Sequence, residues 1–437
     1  MKFALTILAL TFCLPVNAQA ADAVQPGQFR VDAPEVYNPG MQRRQFLRTA
    51  AAAAALSASR LTAATEPLKR ALKITRVETD LLRFPPGRPH YDAIQQLGVD
   101  RGGVVLRIHT DGGITGWAYS SFGRLAGGPD TVRTILEKEC APLLIGQDPA
   151  MTRKIRADLW RALDYHGVQG ITHFAVSAVD IALWDIVGKS LDTPVYRLLG
   201  PARDRIAAYA MVGWYYDDDD DLSEYRRAVE SAFEEGFGAV KIKVGRGPLE
   251  EDARRIRAAL DLAGNNRRVL VDANQALNTN EAIRRGRVYQ EMGCFWYEEP
   301  LPPWQKDGYA ELAAALDIRI ATGENEYTKY SFLELMQRKA TDVLQPDNRR
   351  AGGVTEWMEI AALADGFGLE IASHGGGGMA TQMLCTMPHA IYLESGSLRN
   401  QNSYVQKLRM VEGEVLAPDL PGIGSELEPQ YVEKYRA

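Results

Sequence analysis

The chain has 437 residues, 46% of them hydrophobic and 24% charged, and carries a formal net charge of −6. This composition is typical of globular proteins and excludes collagen-like and wholly disordered chains, while the acidic balance lacks the basic surface that a nucleic-acid partner would need. After residue 65 no apolar stretch reaches the roughly 18–20 residues that span a bilayer, so we expect no stable membrane association once a leader is removed.

We interpret the first 65 residues as an export leader region. A basic start, a short apolar run and a small-residue end over residues 1–20 are typical of a Sec-type signal peptide. A second leader over residues 41–65 carries Arg43-Arg44, then Phe-Leu and an alanine-rich segment, as twin-arginine signals do.

One chain hardly needs two leaders. Either Met41 is the true start or the first leader is vestigial, and the sequence leaves both open. Because the twin-arginine route carries folded proteins, we expect a periplasmic protein, or a cytoplasmic one if the leader is not functional.

Residues 70–200 predict an α+β domain. Three strand-like segments come first, at Lys73–Thr79, Gly103–His109 and Ile114–Tyr119, and a turn-forming Asp-Gly-Gly joins the last two. From about residue 131 to residue 199 the apolar residues recur at helical spacing. A strand meander followed by helices is typical of this fold class.

Residues 201–394 show a different rhythm, in which short apolar strands alternate with helical stretches. Their starts lie about 21 to 33 residues apart, the spacing of β/α units, and eight such strands predict a parallel barrel of the α/β class. The active site of such a barrel lies at the carboxyl ends of its strands, where this chain places polar residues. The predicted strands are Ile206–Ala210, Ala239–Val244, Arg268–Asn274, Cys294–Pro300, Arg319–Asn325, Asp342–Asp347, Leu369–His374 and Ala390–Glu394.

The second barrel strand carries two lysines on one face. Lys241 and Lys243 alternate with apolar residues, so their side chains point the same way. Mutual repulsion and burial inside a barrel would lower the pKa of a lysine toward the value that a general base needs. Such pairs are also common on solvated strand edges, and the motif alone does not distinguish the two.

Acidic residues end the next three strands. Asp272, Glu298 and Glu324 follow at equal intervals (298 − 272 = 26 and 324 − 298 = 26), which predicts that they occupy one level of successive strands. Three converging carboxylates do not stay ionised together without a cation, and oxygen ligands with open positions favour Mg²⁺. For each residue alone, a helix cap or a solvated loop is the alternative.

The sixth and seventh strands end at Asp347 and His374, and the eighth ends at Glu394. Across neighbouring strand ends the Asp347 carboxylate would orient the His374 imidazole and raise its basicity. A lone histidine is otherwise often a buried core residue whose ring nitrogens are hydrogen-bonded. Here Gly375–Gly378 follow it, and such an open backbone lets a ligand approach closely.

Together these motifs resemble those of one family, the mandelate racemase subgroup of the enolase superfamily. The likeness extends from about Leu72 to the C-terminus and includes the intervals between the motifs. It implies a modified TIM barrel, (β/α)7β, over residues 201–394. It also implies an α+β capping domain that residues 70–200 form and residues 395–437 complete. The residues that carry the likeness are Lys241, Lys243, Asp272, Glu298, Glu324, Asp347, His374 and Glu394.

The resemblance also implies a role for each residue. The three acidic residues would hold Mg²⁺, and the metal would bind a small-molecule carboxylate substrate. Lys243 and His374, the latter oriented by Asp347, would be bases on opposite faces of the substrate, and which one removes the proton stays open. Lys241 would stabilise the enediolate oxygens, and so would Glu394 if neighbouring carboxylates raise its pKa and keep it protonated.

Further substrate contacts are expected at one barrel position and in two loops of the capping domain, Phe84–Gln96 and Ala118–Gly123. Polar and aromatic side chains there suit hydroxyl groups, although a solvated loop has the same composition. The candidates are Asn274, His90, Tyr91 and Tyr119.

Two charged segments lie near the predicted site. We interpret the acidic run Asp217–Asp221 as the solvated start of a helix, because five acids beside a carboxylate-binding site would repel the substrate. Arg349 and Arg350 either attract an acid or lie in an exposed loop.

The expected chemistry is removal of the proton α to a carboxylate, which gives an enediolate. Loss of a β-hydroxyl would then convert a sugar acid, an aldonate or aldarate, into a 2-keto-3-deoxy acid. We expect this hydro-lyase reaction because hydroxylated acids are the commoner substrates that the resemblance implies. Return of the proton to the other face would instead make a racemase or epimerase of a 2-hydroxy acid.

Two alternatives from other classes are more remote. One is a Mg²⁺-dependent barrel that hydrolyses or transfers phosphoryl groups, for which Gly375–Gly378 would form the phosphate cradle. The other is a non-catalytic exported binding protein. In each case a symmetric homo-oligomer is expected, as for other barrels of this type.

Overall fold

The computed structural model describes residues 71–99, 101–122, 125–167, 169–399 and 401–437. Both predicted leaders, at residues 1–20 and 41–65, lie outside this part of the chain. All described residues fall within one compact unit, so the capping domain and the barrel are parts of the same body.

The N-terminal part contains a three-stranded antiparallel sheet in the order β1-β4-β5 and a separate two-stranded hairpin. The turn between the last two strands is where the sequence predicts it, and Gly113 there adopts a φ of 75°, which glycine takes without strain. The strands are β1 (Ile74–Arg83), β2 (His90–Tyr91), β3 (Gln96–Leu97), β4 (Gly102–Thr110) and β5 (Thr115–Phe122).

Helices follow the sheet, which confirms the predicted α+β capping domain. A π-helical turn at Leu136–Cys140 and a 3-10 turn at Asp164–His166 extend two of them. The helices are α1 (Gly128–Ile135), α2 (Ala141–Leu144), α3 (Thr152–Leu163), α4 (Ile171–Ser190) and α5 (Val195–Leu199).

Helix α4 is apolar almost all round because it lies in the core. By length and composition it could cross a membrane, which differs from the expectation that no such stretch follows residue 65. Within the fold 78% of its most apolar window is buried, and the helix packs on β5. We therefore assign it to the interior of the protein.

The second part is a closed barrel of eight parallel strands, in which each strand pairs with the next and β13 pairs with β6. The predicted (β/α)7β barrel is confirmed, and every predicted strand is found with its ends shifted by a few residues. The strands are β6 (Arg205–Met211), β7 (Ala239–Lys243), β8 (Arg268–Asp272), β9 (Trp296–Glu298), β10 (Arg319–Thr322), β11 (Val343–Leu344), β12 (Glu370–Ala372) and β13 (Ala390–Ser395).

Each of the first seven strands is followed by a helix on the outside of the barrel. A short extra helix precedes the sixth of these. The helices are α6 (Ser223–Glu235), α7 (Leu249–Ala263), α8 (Thr279–Glu291), α9 (Lys306–Ala315), α10 (Thr328–Gln337), α11 (Asn348–Ala351), α12 (Gly353–Phe367) and α13 (Gly378–Cys385).

The interior of the barrel is filled by one side chain from each strand. Aromatic rings from β6, β9 and β13 occupy most of this space, and smaller residues of the other strands fit between them, so the barrel is packed rather than a pore. Anything that binds must therefore do so at the carboxyl ends of the strands. The interior residues are Tyr209, Ala239, Leu270, Trp296, Ala321, Val343, Ala372 and Tyr392.

The C-terminal segment leaves the barrel and returns to the capping domain. It contains β14 (Met410–Val411), β15 (Glu414–Leu416) and α14 (Pro429–Tyr435). Strand β15 pairs antiparallel with β6, and apolar residues near α14 pack against β1 and β4. The end of the chain thus joins the barrel to the cap.

Candidate active site

A cavity of about 610 Å³ lies between the capping domain and the carboxyl ends of the barrel strands. Its barrel side carries most of the polar residues that the sequence singles out, including Lys241, Lys243, Asn274, His374 and Glu394. The two faces of the cavity come from different domains, so the barrel supplies the reactive groups and the cap encloses them.

Three buried carboxylates lie together at this site. One oxygen from each of Asp272, Glu298 and Glu324 lies within 4.8 Å of the other two, and the three residues are 0%, 1% and 6% exposed. Burial raises the pKa of Glu298 to about 7 despite the nearby Lys241 ammonium. Oxygen-only donors this close fit Mg²⁺, because a hard cation offsets their repulsion.

The three carboxylates reach the cluster in two ways. Asp272 pairs with Glu298 across β8 and β9, as equal spacing predicts, but Glu298 is level with Ala321 of β10. Glu324 therefore comes three residues after Ala321, the residue that lies level with Glu298 (324 − 321 = 3). The chain turns at Gly323, whose φ of 137° favours glycine, and this turn brings Glu324 to the other two.

Both lysines of β7 contact these carboxylates. The Lys241 ammonium donates hydrogen bonds to Glu298 and, at 2.5 Å, to Glu394 Oε2, and Lys243 Nζ lies 2.5 Å from Asp272 Oδ2. Burial acts to lower the pKa of Lys241, but the two glutamates outweigh it, and the pKa lies well above its ordinary value. The predicted lowering of this pKa is wrong because it counted lysine repulsion and not the surrounding acids.

His374 and Asp347 lie side by side at the ends of β12 and β11. His374 Nδ1 is 2.7 Å from Asp347 Oδ2, so the carboxylate orients the ring, and Nε2 is 3.2 Å from Glu324 Oε2. Burial lowers the pKa of His374, but Glu324, Glu394 and Asp347 outweigh it and the pKa is raised. Lys243 contacts Asp272 and His374 contacts Glu324, so the two side chains adjoin different carboxylates of the cluster.

Glu394 closes the site on the side of β13. Its Oε2 accepts hydrogen bonds from Lys241 Nζ at 2.5 Å and Tyr209 Oη at 2.8 Å, and its Oε1 accepts one from the Gly375 N–H at 3.1 Å. Burial acts to raise the pKa of Glu394, but Lys241 and His374 outweigh it and the pKa is lowered. The expectation of a protonated Glu394 is therefore wrong, because the Lys241 ammonium stabilises its ionised form.

Asn274 lies in the cavity wall, two residues after the first carboxylate. Its backbone N–H donates to Asp272 Oδ1 at 2.9 Å, which fixes the position of the residue. Its side-chain Oδ1 is buried, and no described group donates a hydrogen bond to it. A substrate hydroxyl would supply the missing donor.

Two arginines for which the sequence left two interpretations also line the cavity, so they do not lie in an exposed loop. Arg349 donates to Asp347 through Nε and Nη2, at 3.2 and 2.5 Å, and to Ser121 Oγ through Nη1 at 2.7 Å. Arg350 donates to the backbone carbonyl of Glu324 at 2.8 Å. Arg349 thus links the carboxylate that orients His374 to the capping domain.

Gln345 is a residue that the sequence reasoning missed. It is 1% exposed, and its Nε2 donates to Glu298 Oε2 at 2.8 Å. The signal was the strand alternation, because Val343 faces the barrel interior and positions 345 and 347 continue that face. Gln345 therefore holds one of the clustered carboxylates in place.

The predicted substrate contacts from the cap are corrected by the structure, because His90, Tyr91 and Tyr119 do not line this cavity. The His90 ring packs against Trp214, with centroids 4.9 Å apart, and Tyr91 donates to Asp217 Oδ2 at 2.6 Å. Tyr119 lines a neighbouring cavity of about 360 Å³. His90 and Tyr91 thus face other partners, and Tyr119 faces the neighbouring cavity.

The acidic run Asp217–Asp221 explains part of this difference. Asp218 forms an ion pair with Arg88 of the cap loop, and Asp219 is 7% exposed and accepts two backbone N–H bonds, at 2.9 Å each, from the first turn of α6. The run does begin a helix, as predicted, but part of it anchors the cap loop instead of facing solvent.

Comparisons with known proteins cover most of the described chain. The mandelate racemase / muconate lactonizing enzyme N-terminal domain matches residues 80–200, and the enolase C-terminal domain-like family matches residues 224–431. D-galactarolactone cycloisomerase of Agrobacterium fabrum is 34% identical over 382 residues, which are 84% of this chain and 99% of that protein. Arabinonate dehydratase of Saccharolobus solfataricus is 31% identical over 342 residues, 76% of this chain and 90% of that protein.

Solved structures share the whole architecture. L-talarate/galactarate dehydratase from Salmonella typhimurium superposes with a TM-score of 0.78 at 30% identity, over 84% of this chain and 93% of that one. A mutant of that enzyme was solved with Mg and L-glucarate bound. A racemase from Streptomyces coelicolor with bound magnesium also gives a TM-score of 0.78, at 31% identity over 83% of this chain and all of that one.

Proposed function

Because the chain belongs to the mandelate racemase / muconate lactonizing enzyme family of the enolase superfamily, we propose that it is a Mg²⁺-dependent sugar-acid dehydratase. It removes the proton α to the substrate carboxylate and then eliminates the β-hydroxyl, giving a 2-keto-3-deoxy acid. The observation that carries the proposal is the cluster of three buried carboxylates, with Lys243 in contact with Asp272 and His374 in contact with Glu324. Relatives named arabinonate dehydratase and L-talarate/galactarate dehydratase support this reaction.

In this reaction a proton is removed from the α-carbon and another is given to the hydroxyl on the neighbouring β-carbon. One of Lys243 and His374 accepts the α-proton, and the electron pair of the broken C–H bond moves into the carboxylate to give the enediolate. When the enediolate collapses, the C–O bond at the β-carbon breaks, and the hydroxyl takes a proton from the acid form of a base and leaves as water. The enol that remains then takes a proton at the β-carbon and loses its hydroxyl proton, which gives the 2-keto-3-deoxy acid. Asp347 holds His374 in the orientation that either step requires.

The negative charge of the enediolate oxygens needs positive partners. Bound Mg²⁺ would supply Lewis-acid charge stabilisation there. The Lys241 ammonium remains protonated because its pKa is raised, so it adds a fixed positive charge on the same side. Asn274 offers its buried, unpartnered Oδ1 to a substrate hydroxyl, which fixes the chain of the acid over the bases.

Racemisation is the second candidate, and the positions of the two bases favour it. Lys243 and His374 contact different carboxylates of the cluster, an arrangement in which one would remove a proton from one face of the substrate and the other would return one to the opposite face. The racemase structure from Streptomyces coelicolor is as similar to this chain as the dehydratase structure. Which product forms depends on whether the substrate places a β-hydroxyl near the acid form of the second base.

The decisive experiment incubates the purified protein with Mg²⁺ and a library of aldonic and aldaric acids in D₂O. We expect deuterium exchange at the α-carbon of a substrate together with release of a 2-keto acid. Exchange with inversion and no keto acid would establish the racemase instead. Absence of both exchange and keto acid across the library would contradict the proposal.

Variants connect the activity to the assigned bases. Lys243→Ala and His374→Ala should each abolish turnover even at saturating Mg²⁺, which excludes an altered Mg²⁺ affinity as the cause, since both side chains contact carboxylates of the cluster. Lys138→Ala and His166→Ala, at exposed positions of the capping domain, are the matched controls and should keep full activity. Turnover that survives in both base variants would exclude the assignment.

We also propose, from the sequence alone, that the protein is exported through its leader region and acts as a homo-oligomer. Fractionation of cells that express the full chain or an Arg43→Lys, Arg44→Lys variant tests the first point. The variant should be retained in the cytoplasm if the twin-arginine leader is functional. Light scattering on the purified protein tests the second, and a monomer would refute it.

A further inference from the structure

Two residues of the barrel lie between the catalytic bases and the capping domain. Trp214 is in the segment that follows β6, and Arg349 is in the short helix α11. Both line the catalytic cavity. Each contacts the cap on one side and, on the other, either a base or the carboxylate that orients a base. The proposed reaction gives neither residue a role.

Trp214 connects the cap loop to Lys243. The Lys243 Nζ lies 4.7 Å from the centroid of the Trp214 ring, and the negative face of an indole attracts an ammonium group. The His90 ring of the cap packs against the same indole in a T-shaped arrangement, with centroids 4.9 Å apart. Beside this contact Tyr91 and Tyr215 exchange backbone hydrogen bonds of 2.9 and 3.0 Å. The cap loop therefore restricts the position of the indole, and the indole restricts the position of the ammonium.

Arg349 connects the cap to His374 through Asp347. Its Nη1 donates to Ser121 Oγ of the cap at 2.7 Å, and its Nη2 donates to Asp347 Oδ2 at 2.5 Å. His374 Nδ1 lies 2.7 Å from the same oxygen. One carboxylate oxygen thus joins the guanidinium to the imidazole.

The guanidinium also stabilises the charge of Asp347. Burial acts to raise the pKa of this carboxyl, but Arg349, His374 and Arg350 outweigh it, and the pKa lies well below its ordinary value. The backbone N–H groups of Arg349 and Arg350 hold the other oxygen, Oδ1, at 2.7 and 3.2 Å. Loss of the guanidinium would therefore leave Asp347 at the start of α11 but hold it less firmly on the side of the imidazole.

We propose that Trp214 and Arg349 are positioning residues through which the capping domain holds the two bases in place, one residue for each base. The inference rests on the proposed function and adds to it. Each base also contacts one carboxylate of the cluster, and the connection to the cap adds a second constraint. A displacement of about 1 Å in a reacting group can cost about 10²-fold in rate. A cap that is seated on the barrel therefore also aligns the bases.

The test separates the two bases by the configuration of the substrate. Acids that are epimeric at the α-carbon present their proton on opposite faces, and exchange in D₂O that disappears in Lys243→Ala or in His374→Ala assigns each epimer to its base. We expect Trp214→Leu to lower the kcat for exchange of the Lys243 epimer by about 10²-fold and to leave the other epimer within threefold of wild type. Arg349→Met should show the converse. Where one epimer alone exchanges, only the variant beside its base should lower the rate.

Both residues line the cavity, so direct contact with the substrate is the alternative role. Contact with the substrate would raise KM, whereas positioning lowers kcat and leaves KM within threefold of wild type. Trp304→Leu and Arg161→Met, at exposed positions, are the matched controls and should change neither constant.

Two milder variants decide the matter if either of the first two does not fold. Ser121→Ala removes the Oγ acceptor on the cap side and should reproduce the selectivity of Arg349→Met with a smaller loss. Trp214→Phe keeps an aromatic face beside the ammonium and should lose less than Trp214→Leu, with the same epimer affected.

Three results would overturn the inference: equal losses for both epimers, rates within threefold of wild type for both, or a raised KM with unchanged kcat. The failure of the proposed function is distinguishable from these. If wild type exchanges the α-proton of no acid, the proposed function fails and the inference fails with it. Exchange in wild type without the expected selectivity in the variants refutes the inference alone.

Discussion

The hydrogen bond from Gln345 to Glu298 gives the sharpest test of how the carboxylate cluster is held. Gln345 Nε2 lies 2.8 Å from Glu298 Oε2, and the residue is 1% exposed. Gln345→Met removes the donor with little change of volume. Hydrogen bonds to charged groups contribute about 1.5–3 kcal/mol, which at about 1.4 kcal/mol per tenfold is a change of roughly 10- to 150-fold in binding. Loss of a group that orients a metal ligand typically costs about 10–100-fold in metal affinity. The change calculated from the hydrogen-bond energy therefore agrees with the loss that is usual for such a group.

The assay is calorimetric titration of Mg²⁺ into wild type and Gln345→Met, followed by α-proton exchange as a function of Mg²⁺ concentration. We expect the Kd for Mg²⁺ to rise by about 10–100-fold and the exchange rate to recover at saturating Mg²⁺. Gln147→Met, which alters a half-buried glutamine of the capping domain, should bind Mg²⁺ as wild type does. An unchanged Kd for Gln345→Met would refute the reasoning, and a rate that saturating Mg²⁺ does not restore would place Gln345 in the chemistry instead.

Two further predictions concern His374 and His173. Asp347→Asn should lower the exchange rate by about 10²–10⁴-fold with Mg²⁺ affinity retained, because the ring of His374 loses its carboxylate partner, and a rate within threefold of wild type would contradict this. Burial and Arg156 lower the pKa of His173 to about 4. As the pH falls from about 6.5 to 4, the unfolded chain binds a proton at this residue while the folded protein does not, and the free energy of unfolding falls by an amount on the order of 3 kcal/mol. His173→Gln should therefore lose less stability than wild type between pH 7 and pH 4 in urea unfolding, and equal losses would count against it.

The barrel could be predicted from the sequence because the information that specifies it is local. Each strand is a short apolar run bounded by turn residues, and all eight are found within a few residues of their predicted positions. Once the strands are known, the parallel register brings their carboxyl ends together, and Asp272 falls opposite Glu298 as the spacing indicates. The acidic cluster could therefore be predicted as a group from sequence intervals alone.

The cap contacts could not be predicted in this way, because their partners are distant in sequence. Tyr91 donates to Asp217, 126 residues away, and the His90 ring packs on Trp214 of the barrel. A loop of polar and aromatic residues has the same composition whether its side chains face a substrate or a neighbouring segment of the chain. Nothing local in Phe84–Gln96 or in Asp217–Asp221 indicates that the two segments bind each other, and this pairing is what takes His90 and Tyr91 out of the cavity wall.

The charge balance of the site explains why the metal ligands could be predicted and the protonation of their neighbours could not. Asp272, Glu298 and Glu394 each place an oxygen within 3.8 Å of Lys241 Nζ, whereas Glu324 contacts His374 and Arg350. The attraction of these acids outweighs burial and the neighbouring lysine, so the pKa of Lys241 rises instead of falling. Asp272 and Glu298 also belong to the cluster whose charge a divalent cation would neutralise. The lysines and a bound cation would therefore neutralise the charge of some of the same carboxylates. The direction of a lysine pKa shift depends on the acids of all the neighbouring strands and not only on the strand that carries the lysines.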